Sequence, residues 1–545
     1  MTSKHKSHLL HDISTTLDKA SPSPIEVIPT KKKIGFISAI SLVIGSSIGA
    51  GIFIKNHEIL NNVHGSILLA IMCWIIAIIG ILALAFTLPE ICSGIHNNRQ
   101  GIIGWVRKFN SKLIYLSGKN FMTYLHLSIY YFIMPFYLMM TLQETFNFSI
   151  EWYWLILISF AISSWFIWIT GLSTRAANLQ NWIVTAIKFL PIIFAAVAGF
   201  VMIGLGKGTD NTWDPQYPVY DGHLPLFSDR LPILGILSSI PAIFFAFDGF
   251  YSTAGIQGVM KEPKKISLAM GVGMAIVSAL DIIISLSLLL GTHSGKMSDL
   301  RIPQWVFQIA NICVAIGILG IINGVSVYST HYYHDLILHN EIPFANWLQD
   351  HSQGNKQTMG VLVSYIITIF WFVVFTIIGL HFLNTGHYGN IPGWDNPKPY
   401  GDNHIENLYS FADLIGNWNA ALAFAIILFA VIGAIHNRKT KKIDVARSRF
   451  LVPGGIVSLV IIGIGILFIP VESVGNLIYI VGYYNGTIAV PTGVTSPKVT
   501  SIDIFGAAAQ IGMLFVFLGI TLIPAIVRVL SDNKKGVQKE LHKHY

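Results

Sequence analysis

From Ile34 to Ile54 the chain runs 21 residues without a charge, and inside that run stands Gly45-Ser-Ser-Ile-Gly-Ala-Gly-Ile-Phe53. A helix needs ~20 apolar residues to cross a bilayer core, so the run is long enough. Glycines and a serine pair, however, are the residues least able to hold a helix rigid. Backbone that unwinds at membrane depth frees N–H and C=O groups that lipid does not satisfy. It persists only where protein or a polar cavity covers it. The nonamer therefore has two readings. One is a site for a small polar ligand; the other is a packing face on which Gly45 and Gly49 admit a neighbouring helix.

The remaining sequence sets the same environment. Charged residues are 11% of the 545 and hydrophobic ones 53%, with a mean hydropathy of +0.61. Ordinary soluble domains carry ~25% charged residues, so the chain reads as an all-α polytopic membrane protein. Hydropathy and helix breakers predict 12 transmembrane helices, near 34–54, 66–89, 113–142, 152–171, 182–204, 232–257, 268–291, 304–329, 358–380, 409–434, 450–470 and 504–528. Numbered in order, spans 1–5 occupy 34–205, spans 6–10 occupy 232–436 and spans 11–12 occupy 449–529. Segments 1–33 and 530–545 read as cytosolic tails; the first 30 residues are polar and lack the apolar core of a secretory signal.

A net charge of +8 would suit nucleic acid if it were spread over a surface. Instead, Lys and Arg concentrate at Lys31–Lys33, Arg99–Lys112, Lys261–Lys265, Arg438–Arg449 and the C-terminal tail. That is the positive-inside pattern, which sets both termini in the cytosol and accounts for the basic balance without nucleic acid. Loops near 205–231, 381–408 and 471–503 read as external surface loops or lids. Cys73, Cys92 and Cys313 have no motif spacing, so no disulfide framework, metal site or other cofactor is expected.

Span 6 holds a second interruption, Pro241-Ala-Ile-Phe-Phe-Ala-Phe-Asp-Gly-Phe-Tyr-Ser-Thr253. Breaks at corresponding places in two halves are the best sequence pointer to a transporter site. The expected architecture is a 5+5 inverted repeat with broken spans 1 and 6, plus two appended helices. Half-helix N-termini offer N–H groups to an anion, and freed carbonyls accept from a cation. One small zwitterion meets both demands, and an amino acid is the simplest.

At these residues the chain resembles the amino acid–polyamine–organocation (APC) permease family, with its LeuT-like fold. Ile44-Gly-Ser-Ser-Ile-Gly-Ala-Gly-Ile-Phe53 is similar to the family's first-span signature. Phe244-Phe-Ala-Phe-Asp-Gly-Phe250 with Lys261-Glu-Pro-Lys-Lys265 is similar to its sixth span and following basic loop. Trp74 through Glu90, Gly101 and Asn323-Gly324 extend the likeness over about ten spans. The resemblance implies that N–H groups of Gly49, Ala50 and Gly51 hold a substrate carboxylate. It implies that carbonyls near Ser46, Ser47, Phe245 and Ala246 take the amino group, beside Asp248-Gly249, and that Phe245 is an aromatic gate. Two departures stand out: Gly258-Val259 where many relatives carry an acidic pair, and Ser329-Thr-His-Tyr-Tyr-His-Asp335 where an Arg-containing helix is usual.

Lys188 reads as the sole Lys or Arg within a span, roughly 10 Å deep at ~1.5 Å per residue. Holding it there costs ~2.5–3.5 kcal/mol on insertion scales unless it is paired or neutral. Either it snorkels to the interface or it works in ion or proton coupling. The resemblance favours the latter, with the ammonium standing in for a sodium ion between spans 1, 5 and 8. Asp248 either selects a cationic side chain or accepts a proton, or it caps the second half-helix. Asp281, in mid-span 7, bonds a neighbouring helix or serves a relay. Glu90 reads as a structural terminus and His126 as a packing histidine; His331 and His334, three apart on an expected helix, have a metal-ligand spacing but no further ligands nearby, and read as a solvated loop pair.

The function expected is secondary active transport of an amino acid or related amine across the plasma membrane, by proton symport or by exchange against a counter-substrate. Protons, the counter-substrate and membrane lipids are the implied partners, and oligomeric state is open. A sensor on the same scaffold is the alternative. A membrane-embedded enzyme ranks lower, because no cluster of nucleophile and base lies at one depth.

Overall fold

The computed structural model describes residues 35–47, 51–95, 101–209, 224–251, 260–351, 356–381, 403–490 and 499–541. The expected N-terminal tail, 1–33, therefore lies outside the described residues, whereas 530–541 of the expected C-terminal tail continues the helix Ser501–Leu541. Among the described residues ten helices are long and apolar enough to cross a membrane: Ile67–Ser93, Lys112–Phe146, Trp152–Thr170, Ala186–Gly204, Ile266–Gly291, Gln304–Leu338, Thr358–Leu380, His404–Thr440, Leu451–Tyr484 and Asp503–Asp532. Two shorter apolar helices, Phe36–Gly45 and Pro232–Phe247, stand where the interrupted spans 1 and 6 are expected.

Several helices outrun their hydropathy. Span 11 continues through Pro470 to Tyr484, so 471–484 is helix and not loop. Span 8 continues to Leu338, so His331 and His334 stand on a helix and not in a loop; His331 is exposed and His334 half-buried, while Tyr332 and Tyr333 between them are fully buried. Span 6 passes through Pro241 unbroken and stops only at Phe247. Proline removes a ladder bond, yet Pro241 and Pro470 both sit inside continuous helix. In a bundle, neighbouring helices and side chains satisfy the freed groups.

Span 3 runs through the middle of the bundle, and its residues from Phe121 to Met140 are buried apart from Tyr124. A π-turn, Met122–His126, interrupts it between Lys112–Phe121 and Leu127–Phe146. Spans 5 and 7 cross at glycine, where Gly199 N donates to Ser287 Oγ at 3.0 Å. A Cβ on Gly291 would lie 2.4 Å from Gly199 Cα. Such small-residue crossings replace the hydrophobic drive that lipid removes. Outward faces are apolar: Leu190, Ile193 and Val197 of span 5, and Phe515, Ile523 and Val527 of span 12, are each more than half exposed. An apolar exterior of this extent suits acyl chains and not water, and the chain is a multi-pass membrane protein.

Segments carrying the basic clusters meet at one end of the bundle. Arg107 pairs with Glu341 at 3.2 Å and Lys112 with Asp532 at 2.7 Å. Arg438 pairs with Glu90, which also accepts from Ser448 N at 2.8 Å. Glu90 is thus a tie between the end of span 2 and the loop after span 10, in line with its reading as a structural terminus.

Candidate functional site

The two interruptions touch. Ser47 ends the helix Phe36–Ser47, and Gly51 opens the helix Gly51–Asn62. A Cβ on Gly51 would lie 2.7 Å from Ala246 Cα, in the last turn of Pro232–Phe247. The N-terminus of one half-helix thus abuts the C-terminus of another. The first N–H groups of Gly51–Asn62 and the last C=O groups of Pro232–Phe247 have no partners within their own helices. Their macrodipoles present a positive and a negative end side by side. After Asp248 the chain turns at Gly249, whose φ of +97° favours glycine. Gly49 and Ala50 lie outside the described residues, as do 252–259, where the second half of span 6 is expected. Ser46 occupies the last turn of its helix, and Ser47 Oγ donates to Met274 Sδ of span 7 at 3.7 Å.

Phe245 is buried beside this junction. Its ring meets Tyr137 edge-on at 5.6 Å, and a Cβ on Gly416 would sit 3.3 Å from it. Above the ring, 5.2 Å from its centroid, is the ammonium of Lys55. This lysine is fully buried and pairs with Glu58 at 2.9 Å and with Asp413 of span 10. Tyr137 donates to the same Asp413 oxygen at 2.8 Å, and Asn417 donates to Glu58 at 3.1 Å. The cluster ties spans 1, 3 and 10 together over Phe245. A cavity of about 60 Å³, room for a few waters, adjoins it and is lined by Glu58, Tyr137, Tyr409, Asp413 and others. A larger cavity, about 330 Å³, lies where span 3 begins, and none of the residues of the interruptions lines it.

Lys188 donates to the carbonyl of Gly45, inside the nonamer. Its Cβ lies 3.6 Å from where a Cβ on Gly317 would stand, so the side chain runs between spans 1, 5 and 8. It is 7% exposed and bonded inward, which speaks against snorkelling. Two other buried lysines correct the sequence reading that Lys188 is the only one. Lys55 was placed one residue past the expected end of span 1, yet the helix continues to Asn62. Lys119, well inside span 3, donates to Glu341 O at 2.9 Å and is 4% exposed.

Asp248 is 7% exposed and its carboxylate is fully engaged. One oxygen accepts from Tyr130 of span 3. The other accepts from Tyr251 at 2.6 Å and from Gly249 N at 2.9 Å. The network continues from Tyr251 to His126 at 3.2 Å and from His126 to Asn419 of span 10 at 3.0 Å. His126 therefore has both ring nitrogens bonded and sits in the π-turn of span 3, a type of irregularity frequent at functional sites.

Of the residues singled out in the sequence, the structure brings Gly51 and Ala246 together with Phe245 beside them, and sets Lys188 on the carbonyl of Gly45. Sequence reasoning did not single out Lys55, Glu58, Asp413, Tyr130 or Tyr137, which surround Phe245 and Asp248. The available signal was the i, i+3 pair Lys55 and Glu58 just beyond a break, together with Asp413 inside an expected span.

The sequence model of the family described as Amino acid permease matches residues 34–490. An uncharacterised protein of Mycoplasma pneumoniae is 34% identical over 544 residues, covering 93% of this chain and 95% of that protein. The serine/threonine exchanger SteT of Bacillus subtilis is 24% identical over 369 residues, covering 62% and 75%. Among solved structures, MhsT in complex with L-phenylalanine is 14% identical with a TM-score of 0.47, covering 82% of this chain and 99% of that one. The manganese transporter of Eremococcus coleocola has 14% identity and a TM-score of 0.48, covering 92% and 98%. On the extent of the family match, this chain belongs to the amino acid permease family.

Proposed function

We propose that the chain is a secondary active transporter that carries an amino acid, or a closely related amine, across the plasma membrane by alternating access. The observation that carries this reading is the apposition of Gly51 with Ala246. It sets a helix N-terminus and a helix C-terminus side by side, a polar pair suited to a carboxylate and an ammonium on one small molecule. Gly49, Ala50 and Gly51 supply the N–H groups. Ser46, Ser47, Phe245 and Ala246 supply carbonyls, with Asp248-Gly249 at the turn. Phe245 covers the substrate, and the Lys55 cluster closes the path above it on the outer side. Both termini are cytosolic, and spans 1–5 and 6–10 act as inverted repeats. Lys188, held on the carbonyl of Gly45, couples proton uptake or counter-substrate exchange to movement of the first half of span 1. Similarity to a serine/threonine exchanger makes small hydroxyl amino acids the first substrates to try.

The test is uptake by the purified chain in proteoliposomes. A panel of labelled amino acids and polyamines is offered with and without an inward proton gradient, or with excess unlabelled solute inside. Saturable uptake of at least one amino acid is expected. Binding of solutes with no crossing would overturn transport and leave a sensor.

A further inference from the structure

Span 7 presents a polar row to the broken span. Met274, Ser278, Asp281 and Ser285 recur at spacings of four, three and four, which stacks them on one face of the helix Ile266–Gly291. Both ends of the row are fastened to span 1. Ser47 Oγ donates to Met274 Sδ at 3.7 Å, and Ser285 Oγ donates to Asn56 Oδ1 at 2.6 Å. Ser47 closes the first half-helix and Asn56 lies in the second. Ser278 and Asp281 are therefore held level with the interruption.

Both are 2% exposed, and among the described residues neither Ser278 Oγ nor Asp281 Oδ2 has a hydrogen-bond partner. Buried polar atoms are seldom left in this state, and each one calls for an explanation. Charged groups on the elements packed against span 7 are committed elsewhere. Lys188 of span 5 is on Gly45 O, and Arg175 of that span is exposed. Lys55 and Glu58 of span 1 are in the cluster with Asp413, and His57 is on Ser294 O. Glu90 of span 2 is paired with Arg438, and Lys265 at the start of span 7 is paired with Glu262. Among the described residues no cation pairs with Asp281.

A carboxylate oxygen and a hydroxyl oxygen three residues apart, buried and unserved, are donors for a hard cation. We propose that Ser278 and Asp281 form a small-monovalent-cation site, for H⁺ or Na⁺, which couples ion entry to the interruption of span 1. The proposal rests on the transporter reading above and adds a coupling site separate from Lys188. Because the same helix face holds Ser47 and Asn56, a cation here acts on both half-helices at once.

The experiment uses the full chain in proteoliposomes and the amino acid that crosses in the panel. Counterflow is measured without ion gradients. Accumulation is then measured under an inward H⁺ gradient and, separately, under an inward Na⁺ gradient. Wild type is expected to accumulate substrate under one of the two, which identifies the cation. Asp281→Asn is expected to lower the ratio of accumulation to counterflow by about tenfold, within the usual range of coupling between two sites. Ser278→Ala, which keeps the carboxyl, is expected to raise the half-saturating concentration of that cation by roughly three- to tenfold, the order of one lost ligand contact. A ratio unchanged in Asp281→Asn overturns the proposal. So does wild-type counterflow that neither gradient drives. If Asp281→Asn fails to assemble, an unchanged half-saturation in Ser278→Ala overturns it alone. Absence of wild-type counterflow counts instead against the transporter reading on which it stands.

Discussion

Replacing Gly51 by alanine tests the junction on which the functional reading stands. The added Cβ would lie 2.7 Å from Ala246 Cα and 3.3 Å from Ala246 Cβ, where ordinary contact begins at 3.4 Å. The half-helices of spans 1 and 6 must then part by about 0.7 Å, and the opposing atom is backbone, which no rotamer change relieves. Overpacking of this kind costs about 1–3 kcal/mol. If the strain falls on the state in which the two ends embrace the substrate, that state loses about 5- to 150-fold in population. Counterflow in proteoliposomes should drop by that range, with folding kept. Gly463→Ala is the matched control: it sits in the long helix Leu451–Tyr484, and a Cβ there meets nothing within 4 Å. It should transport like wild type and gain up to ~1 kcal/mol from helix propensity. Gly51→Ala with uptake and apparent affinity equal to those of Gly463→Ala would refute the close apposition.

Lys188→Ala removes the ammonium from the carbonyl of Gly45; proton-gradient dependence of uptake should vanish, and an unchanged pH profile would remove the coupling role. Asp248→Asn should lower uptake of neutral and cationic amino acids alike, by about tenfold, because its oxygens are taken by Tyr130 and Tyr251 and not free for a substrate. Loss confined to cationic substrates would reverse that assignment. Lys55→Met strands Asp413 and Glu58 and should cost about 3–5 kcal/mol in detergent unfolding, whereas Lys55→Met with Asp413→Leu should cost less. Gly199→Leu should give no monodisperse protein on size exclusion, since even a Cβ there would lie 1.7 Å from Ser287 O.

The span pattern was readable because lipid enforces it: each helix must be apolar for ~20 residues, and charges collect on one side. The break at Gly45–Phe53 was readable for a related reason, since glycine is conspicuous where helices need rigidity. Helix ends were not. Residues 329–338 carry enough polar groups to look like loop, and 471–484 follow Pro470, yet both stretches are helix. The Lys55 cluster was hidden by the same error. Ending span 1 at Ile54 put Lys55 at the interface, where a lysine calls for no partner. Its carboxylate partner Asp413 is 358 residues away, and pairing at that separation leaves no local pattern. Asp248 was visible as a charge out of place, but the hydroxyls of Tyr130 and Tyr251 that hold it were indistinguishable from any membrane tyrosine.

A protein that alternates needs some contacts that open cheaply and others that never open, and the buried polar groups divide along that line. In the proposed motion spans 1 and 6 move against spans 3, 8 and 10. Beside ring contacts such as Phe245 with Tyr137 and Phe244 with Phe424, the polar contacts crossing that boundary include Lys55 to Asp413, Asp248 to Tyr130, and Tyr251 to His126. Buried pairs of this kind contribute little net stability, because desolvation offsets their attraction and water recovers the cost when they part. They fix one arrangement sharply while adding little to the barrier for leaving it. The crossing of spans 5 and 7 is of the opposite kind. Gly199 and Gly291 bring two backbones so close that a Cβ on Gly291 would lie 2.4 Å from Gly199 Cα, and dispersion lost there has no solvent to replace it. Spans 5 and 7 should therefore move as one body. Lys188 and Asp281, one on each, would then keep a fixed separation while the break of span 1 shifts between them.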